Sequence, residues 1–452
     1  MKPIKKIMTL VVFLFSLCFP LASCQKQYRF DFSEEGWTID NKQYLNYERV
    51  YHFEEDQKKD YYDIDFLNDV FPNGILIDQE GKRYNLKDEY ETVVLLGDRN
   101  AGRTDDFEHQ YLSPFKIRLF TFGVIEFCFV NSKTKTISSR MRLGQINFAS
   151  KHKNPPVHIK TISDFKKLTG AQIAYLDNDI DFTGYEFGDG NPSLFPLAGW
   201  VGSFINPDKH VLKNITYTVD KAGYHNFITR NIFGSWFDSL IIDNFRYINN
   251  VKETGNDNTM FSIICAAAYA SYFVDCKLMN INLDGNDFNL AAFSNTAFGC
   301  DFINCEVNGQ VMNHYVAKAV LKADGSTKPG ICARTSGFCN YINTVYTLGK
   351  VELCNAIKEY QEKPNKENLE KLILALNITP VVSLLCNNKI FVDARGYGKT
   401  GGISTCIDRI NLLFINNIYM GTLSGKIIGE IYAENFFYQS DDYFTQFLDY
   451  FG

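Results

Sequence analysis

The sequence reads as an all-β protein, most of it a parallel β-helix preceded by a smaller β-rich domain. Three features carry that reading. Tyr and Phe are abundant, 26 and 38 residues, while Ala is sparse, a mix that favours strands and turns over helices. A pattern of bulky apolar, β-branched, Asp or Asn, then small or polar residue recurs along the C-terminal two thirds. Its copies are Ile241-Ile242-Asp243-Asn244, Phe273-Val274-Asp275-Cys276, Phe302-Ile303-Asn304-Cys305, Tyr341-Ile342-Asn343-Thr344, Phe391-Val392-Asp393-Ala394 and Phe414-Ile415-Asn416-Asn417. They are spaced by about 23 to about 50 residues, the range of solenoid coils with insertions. Several are followed within a few residues by glycine (Gly285, Gly309, Gly349, Gly421), which suits sharp corners between strands.

One coil of short strands cannot bury its own apolar face, whereas stacked coils place like residues above like and share a continuous core. In Phe302 to Val307, alternation assigns Ile303, Cys305 and Val307 to the interior. The recurrent Asp or Asn then falls on the opposite parity or at a corner, where stacked side chains can hydrogen-bond along a ladder. A β-sandwich with irregular strands is the competing architecture; it explains the alternation but not the recurring tetrapeptide.

From the N-terminus, Met1-Lys2-Pro3-Ile4-Lys5-Lys6 precedes an apolar run from Met8 to Phe19, the pattern of a secretory signal over residues 1–23. That run falls short of the ~20 residues a membrane-spanning helix needs. It closes on Leu21-Ala22-Ser23-Cys24, which resembles the lipobox of bacterial lipoproteins. The resemblance implies a Cys24 sulfur alkylated with diacylglycerol and cleavage just before it. The membrane is then one partner, and the chain is expected to lie outside the cytoplasm, lipid-anchored to the cell membrane or outer membrane and surface-exposed. Residues 24–150 form the expected β-rich domain: Tyr28, Phe30 and Phe32 alternate, Pro72-Asn73-Gly74 turns into Ile75-Leu76-Ile77, and Ile117 to Val130 is dense in strand formers. Residues 151–158, with Pro155-Pro156, read as a linker.

The segments that follow come in a distinctive order. Ile162 to Leu168 precedes Tyr175-Leu176-Asp177-Asn178-Asp179-Ile180-Asp181-Phe182, then Phe195 to Phe204, Val211 to Ile215, and Ile232-Phe233-Gly234-Ser235-Trp236-Phe237. From Ile159 to about Ala433 this order resembles bacterial surface proteins with GLUG-type repeats. The resemblance implies a right-handed β-helix over residues 159–452 and an adhesin-like role. Leu353, Ile357 and Tyr360, then Leu369, Leu372, Ile373 and Leu376, recur at helical spacing around Pro364-Asn365. They predict a helical hairpin inserted at about 351–376 and packed on one face of the coils. Tyr443, Phe444, Phe447, Leu448 and Phe451 share a helical face, an expected cap at about 436–452.

Net charge is −6, with no basic stripe or Lys/Arg run interleaved with aromatics, which argues against nucleic acid and a polybasic membrane patch. Beyond Cys18 and Cys24, the cysteines read mostly as small buried hydrophobes, because a chain this long can bury a core without staples. Asp177, Asp179 and Asp181 alternate like the opening of a calcium loop and are the metal candidates, although Phe182 and Gly188 stand where an EF-hand needs glycine and glutamate. Gly398-Lys399-Thr400 lacks the preceding glycine and following helix of a phosphate loop. Zinc-ligand spacings and a Gly-x-Ser-x-Gly elbow are missing from the sequence. Catalysis on polysaccharide within coils would need paired carboxylates, or a cation with a basic residue. Asp393 with Arg395 and Lys399, and Asp408 with Arg409, are the charged groupings that qualify as catalytic candidates. The expectation is an adhesin-like or ligand-binding surface protein without a cofactor, with glycan or host and matrix protein as ligand. The alternative is a polysaccharide lyase or glycoside hydrolase acting on extracellular glycans.

Overall fold

The structure, a computed structural model, describes residues 61–98, 109–147, 156–251, 259–316, 333–343 and 383–432 with short interruptions, and stretches within 31–53, 320–328 and 359–371. The signal segment, Cys24 and the expected cap at 436–452 lie outside the described residues. What is described is mostly β, with few helical turns.

The N-terminal part is built on antiparallel pairing. Gly123–Asn131 pairs with both Tyr90–Asp98 and Met141–Asn147, and Lys116–Leu119 pairs with Tyr62–Asp65 and His109–Ser113. Pro72-Asn73-Gly74 forms the expected turn, with Asn73 at φ 60°, and leads into the hairpin Ile75–Ile77 with Arg83–Asn85. A cluster of buried residues, among them Tyr44, Phe66, Phe71, Tyr90, Phe127 and Phe129, is its core.

From Val157 onward the chain passes repeatedly through three long parallel sheets, an arrangement consistent with an all-β parallel solenoid. Val157 already pairs with Ala174, so the first strand begins inside the expected linker. The first sheet runs through Ile173–Leu176, Ser203–Ile205, Trp236–Asp238, Tyr272–Val274, Asp301–Ile303, Ser383–Cys386 and Leu412–Ile415. The second runs through Val211–Val219, Ile241–Asn249, Lys277–Gly285, Glu306–Asn313, Lys389–Gly396 and Ile418–Met420. The third holds two strands from most passes, and the ten-residue strand Lys399–Asp408 pairs along both rows. Residues hydrogen-bonded through a side chain on successive passes lie 29, 30, 33 or 36 residues apart in several cases. Longer steps occur where the chain makes excursions, as from Ser294 to Cys339 in the third sheet and from Asp301 to Leu384 in the first, the latter including the excursion after Asn343.

Like stands over like in the first sheet. Phe204, Phe237, Phe273 and Phe302 are in register and buried, with ring centroids 6.1, 5.3 and 5.1 Å apart and interplanar angles of 16, 25 and 6°. The corners after the strands of Phe237, Phe273 and Phe302, and after Ser383–Cys386, are non-glycine residues at positive φ: Ser239, Asp275, Asn304 and Asn387, at 57, 52, 53 and 55°. Short polar side chains tolerate that left-handed conformation best, which accounts for Asp275 and Asn304 among the recurring tetrapeptides.

Two expectations need correction. Phe302, not Ile303, joins the main core with Cys305 and Val307, while Ile303 belongs to a separate buried cluster on the sheet's other side. Strict alternation assumes continuous strand, and the left-handed Asn304 resets the parity between Ile303 and Cys305. The six tetrapeptides also do not form one column. Those at 273, 302 and 414 share the corner of the first sheet, whereas those at 241 and 391 lie in the second sheet and that at 341 in the third. All six nevertheless belong to the same set of stacked parallel sheets.

Within the excursion, Glu359, Tyr360 and Glu362 and then residues 366–368 are helical on either side of Pro364-Asn365. Tyr360 is buried and donates its hydroxyl to Glu91 Oε1 at 2.7 Å, so this segment touches the N-terminal part of the chain. The remaining residues of the expected hairpin mostly lie outside the described residues.

Candidate functional site

The long strands of the second sheet alternate buried and exposed residues, and the exposed ones fall into register from pass to pass. Ile215 and Tyr217, Phe245 and Tyr247, Ile281 and Leu283 point into the core. Between them Thr216, Arg246, Asn282, Gln310 and Asp393 make one outward column. Thr218, Ile248, Asp284, Met312 and Arg395 make the next. Adjacent members are one strand spacing apart, about 4.8 Å. The result is an outward face on which Arg246, Asn282, Gln310 and Asp393 repeat along the stacking direction, beside a mixed column in which Asp284 and Arg395 alternate with Ile248 and Met312.

Hydrogen bonds between passes order this face. Gln310 Nε2 donates to Asn282 Oδ1 at 3.0 Å, and His314 Nε2 lies 2.9 Å from Asp284 Oδ1, both side chains of the latter pair being more than half exposed. Toward the start of the strands, Asn244 Nδ2 donates to Asn214 Oδ1 at 2.8 Å, Asn214 Nδ2 to Asp181 Oδ1 at 3.0 Å, and Asn280 Nδ2 to Asp243 Oδ1 at 2.7 Å. Asn214, Asn244 and Asn280 all hold positive φ, 61, 55 and 51°, so each bends its strand at the same level. This is the side-chain ladder expected from the recurrent Asn, displaced from the position the tetrapeptides suggested. The two columns carry Arg246 and Arg395 against Asp284 and Asp393, a balance of sign that favours neutral hydrogen-bonding ligands over polyanions.

Of the catalytic candidates, Asp393 and Arg395 lie on this face. Asp393 Oδ1 accepts the Thr422 backbone N–H at 2.6 Å, and that bond, helped by the Arg395 charge, holds its carboxyl below the usual carboxylate range. Lys399 opens the long strand of the third sheet, opposite Arg334, and Asp408 closes that strand opposite Tyr432. The fold therefore joins Asp393 with Arg395 and places Asp408 on another sheet.

The metal candidates each have their own donors. Asp177 Oδ2 lies 2.9 Å from His158 Nδ1 and 3.8 Å from Lys160 Nζ. Asp179 Oδ1 accepts the Val211 N–H at 2.9 Å, which chiefly lowers its pKa, with His210 Nδ1 at 3.4 Å. Asp181 Oδ1 accepts from the Thr183 hydroxyl and N–H and from Asn214, and these bonds draw its pKa down to about 2. Among the described residues no group of three or more His, Cys, Asp or Glu side chains is arranged to hold a metal ion.

The eight described cysteines are buried, in keeping with their reading as small core residues. The glycines around Lys399 serve packing: a Cβ on Gly398 would fall 2.2 Å from Ala333 O, and one on Gly401 2.1 Å from Ser404 O.

Sequence reasoning passed over Arg246, Asn282, Asp284, Gln310 and His314. Their signal was a column on the second sheet, legible only once Asn214, Asn244 and Asn280 are set at one level instead of the mixed tetrapeptides. No family model matches this chain, and neither does a curated protein or a solved structure.

Proposed function

We propose that this chain is a cell-surface lipoprotein anchored through Cys24, whose right-handed parallel β-helix, with its helical insertion, displays the outer face of the second sheet to bind an extended ligand. A glycan is the ligand that the face suits best. The observation that carries the reading is the in-register column Arg246–Asn282–Gln310–Asp393 beside Asp284 and His314, repeated donors and acceptors on the outward side of the sheet. Repetition at strand spacing matches a repeating polymer better than a compact small molecule, and balanced charge favours a neutral one. The soluble chain, residues 25–452, is expected to bind members of a glycan array and to lose that binding in the Asn282→Ala/Gln310→Ala variant. Blank glycan arrays together with capture on matrix-protein arrays would move the proposal to a protein ligand; blank results on both would sink it.

Asp393 and Arg395 on the same face give the enzymatic alternative its one support. If the chain cleaves glycans there, new reducing ends or unsaturated uronates should appear from a polysaccharide panel and vanish in Asp393→Ala. Release that persists in that variant would remove the residue from any catalytic role.

A further inference from the structure

Where the second sheet turns into the third, the segment from Gly285 to Leu290 folds a carboxyl group inward. Asp287 has no solvent exposure. Its Oδ1 accepts the Tyr247 hydroxyl at 2.8 Å, and its Oδ2 is buried with no hydrogen-bond partner. The backbone around it is gripped from the next pass: Asn313 Oδ1 accepts the Asp287 N–H at 3.1 Å, and Asn313 Nδ2 donates to Asp287 O at 2.9 Å. Gly285 makes room for the carboxyl, since a Cβ there would lie 2.2 Å from Asp287 Oδ2 and 3.0 Å from the Tyr247 ring. A cradle of this kind, with one donor and one orphaned oxygen, suits a neutral acid far better than a carboxylate.

Among the described residues, no cation figures among the groups that act on this carboxyl. Tyr247 is itself buried, with Tyr217 behind it at 6.3 Å between ring centroids. Asn249, on the same strand as Tyr247, is the other polar side chain favouring the ionised form. From the neighbouring pass, His314 turns its imidazole outward to Asp284, and the Arg334 guanidinium lies over the Tyr341 ring, 4.5 Å from its centroid. Burial accordingly raises the Asp287 pKa to about 7 against the opposing effect of Tyr247 and Asn249.

We propose that the buried Asp287 carboxyl makes this corner a pH-responsive latch, closed while the carboxyl keeps its proton and loosened when ionisation leaves a buried charge that the Tyr247 hydrogen bond only partly offsets. The corner is joined directly to the polar face. Gly285 O accepts the His314 backbone N–H at 2.8 Å, and Asp284, the partner of the His314 ring, immediately precedes Gly285. Loosening the latch therefore frees the Asp284–His314 end of the second sheet.

Because the acid is weaker in the folded chain than in the unfolded one, its contribution to stability is complete below the ordinary carboxylate range. It is lost as pH rises through about 7, by up to tenfold in the folding equilibrium per pH unit. Infrared difference spectra of the full chain against Asp287→Asn, taken from pH 4 to 9, isolate the carboxyl stretch of this residue. The protonated band is expected to persist past pH 6 and to fade near 7, and the wild-type chain is expected to lose stability relative to Asp287→Asn from the ordinary carboxylate range up to about pH 7, levelling off above it. Tyr247→Phe, which keeps the acid and removes its donor, should move the midpoint upward. A protonated band that disappears near pH 4, or a midpoint that Tyr247→Phe leaves in place, overturns the latch.

Discussion

Corner residues decide how the strands follow one another. Asn304 holds φ 53° and its neighbours Ile303 and Cys305 face different buried clusters, so the left-handed residue is what permits adjacent side chains to be buried on opposite sides. A β-branched residue there should be strained by about 1–2 kcal/mol, while glycine should be tolerated. Denaturant midpoints that fall for Asn304→Val and hold within a few tenths of a kcal/mol for Asn304→Gly would show this; equal losses would contradict it. At the entry to the stack, Asp164 caps the short helix Ile162–Lys167. Its carboxylate takes Lys167 Nζ at 2.6 Å and the N–H groups of Lys160 and Thr161 at 3.0 and 2.9 Å, contacts that hold its pKa well below the usual range, the lysine foremost. Asp164→Ala should cost about 1–2 kcal/mol, and the cap's stabilisation should be present at neutral pH and lost as pH falls below the ordinary carboxylate range. A pH titration of unfolding in which wild type and variant stay equally far apart down to pH 2 would contradict that sign. Such corners were partly legible: the recurring Asp and Asn announced where the chain turns. The parity of the residues on either side was not, because alternation says nothing about a residue that leaves the strand conformation.

At the scale of elements, the stacked rings of the first sheet carry the register. Phe273 stands between Phe237 and Phe302 at 5.3 and 5.1 Å and meets Phe293 edge-on at 5.2 Å. Truncating it leaves a cavity between three passes at once, so Phe273→Ala is expected to cost about 3–5 kcal/mol. Equilibrium unfolding checks the figure, and a loss below 1 kcal/mol would mean the stack does not bear on stability. The first sheet also shows where reading by pattern stops. Tyr272-Phe273-Val274 is apolar at every position, and Tyr272 and Val274 are buried on the face away from the main core. Alternation expects one wet side, and only a cover that comes from elsewhere in the chain makes both sides dry. The second sheet is the converse: beyond the left-handed Asn214, Asn244 and Asn280, which break the parity, its alternation holds, so its polar face was recoverable in principle from Arg246, Asn282 and Gln310 once the strands were set in register.

For the molecule as a whole, the outer face of the first sheet ties its parts together. Ile173, Ile205, Trp236, Tyr272, Val274, Ile303, Leu384 and Cys386 form a buried cluster separate from the main core. Tyr47, whose ring packs with Phe71 and Phe127 of the N-terminal core, meets the Tyr272 hydroxyl at 2.9 Å. Removing residues 24–150 should therefore uncover Trp236 and Tyr272, raising binding of a hydrophobic dye and shifting tryptophan emission toward that of exposed indole. Unchanged emission and dye binding would mean the cover comes from another part of the chain. Neither this joint nor the Tyr360–Glu91 bond could be read from the sequence, because both link residues with no shared period.

The stacking of successive passes in parallel register underlies every one of these statements, and Glu306 tests it. It pairs with Lys277 of the preceding pass, their charged groups 3.7 Å apart, and with Lys389 of the following one, across the long excursion. Zero-length carbodiimide cross-linking followed by mass spectrometry should join Glu306 to both lysines. Cross-links from Glu306 to lysines of other strands, with neither Lys277 nor Lys389 among them, would contradict the stacked parallel arrangement.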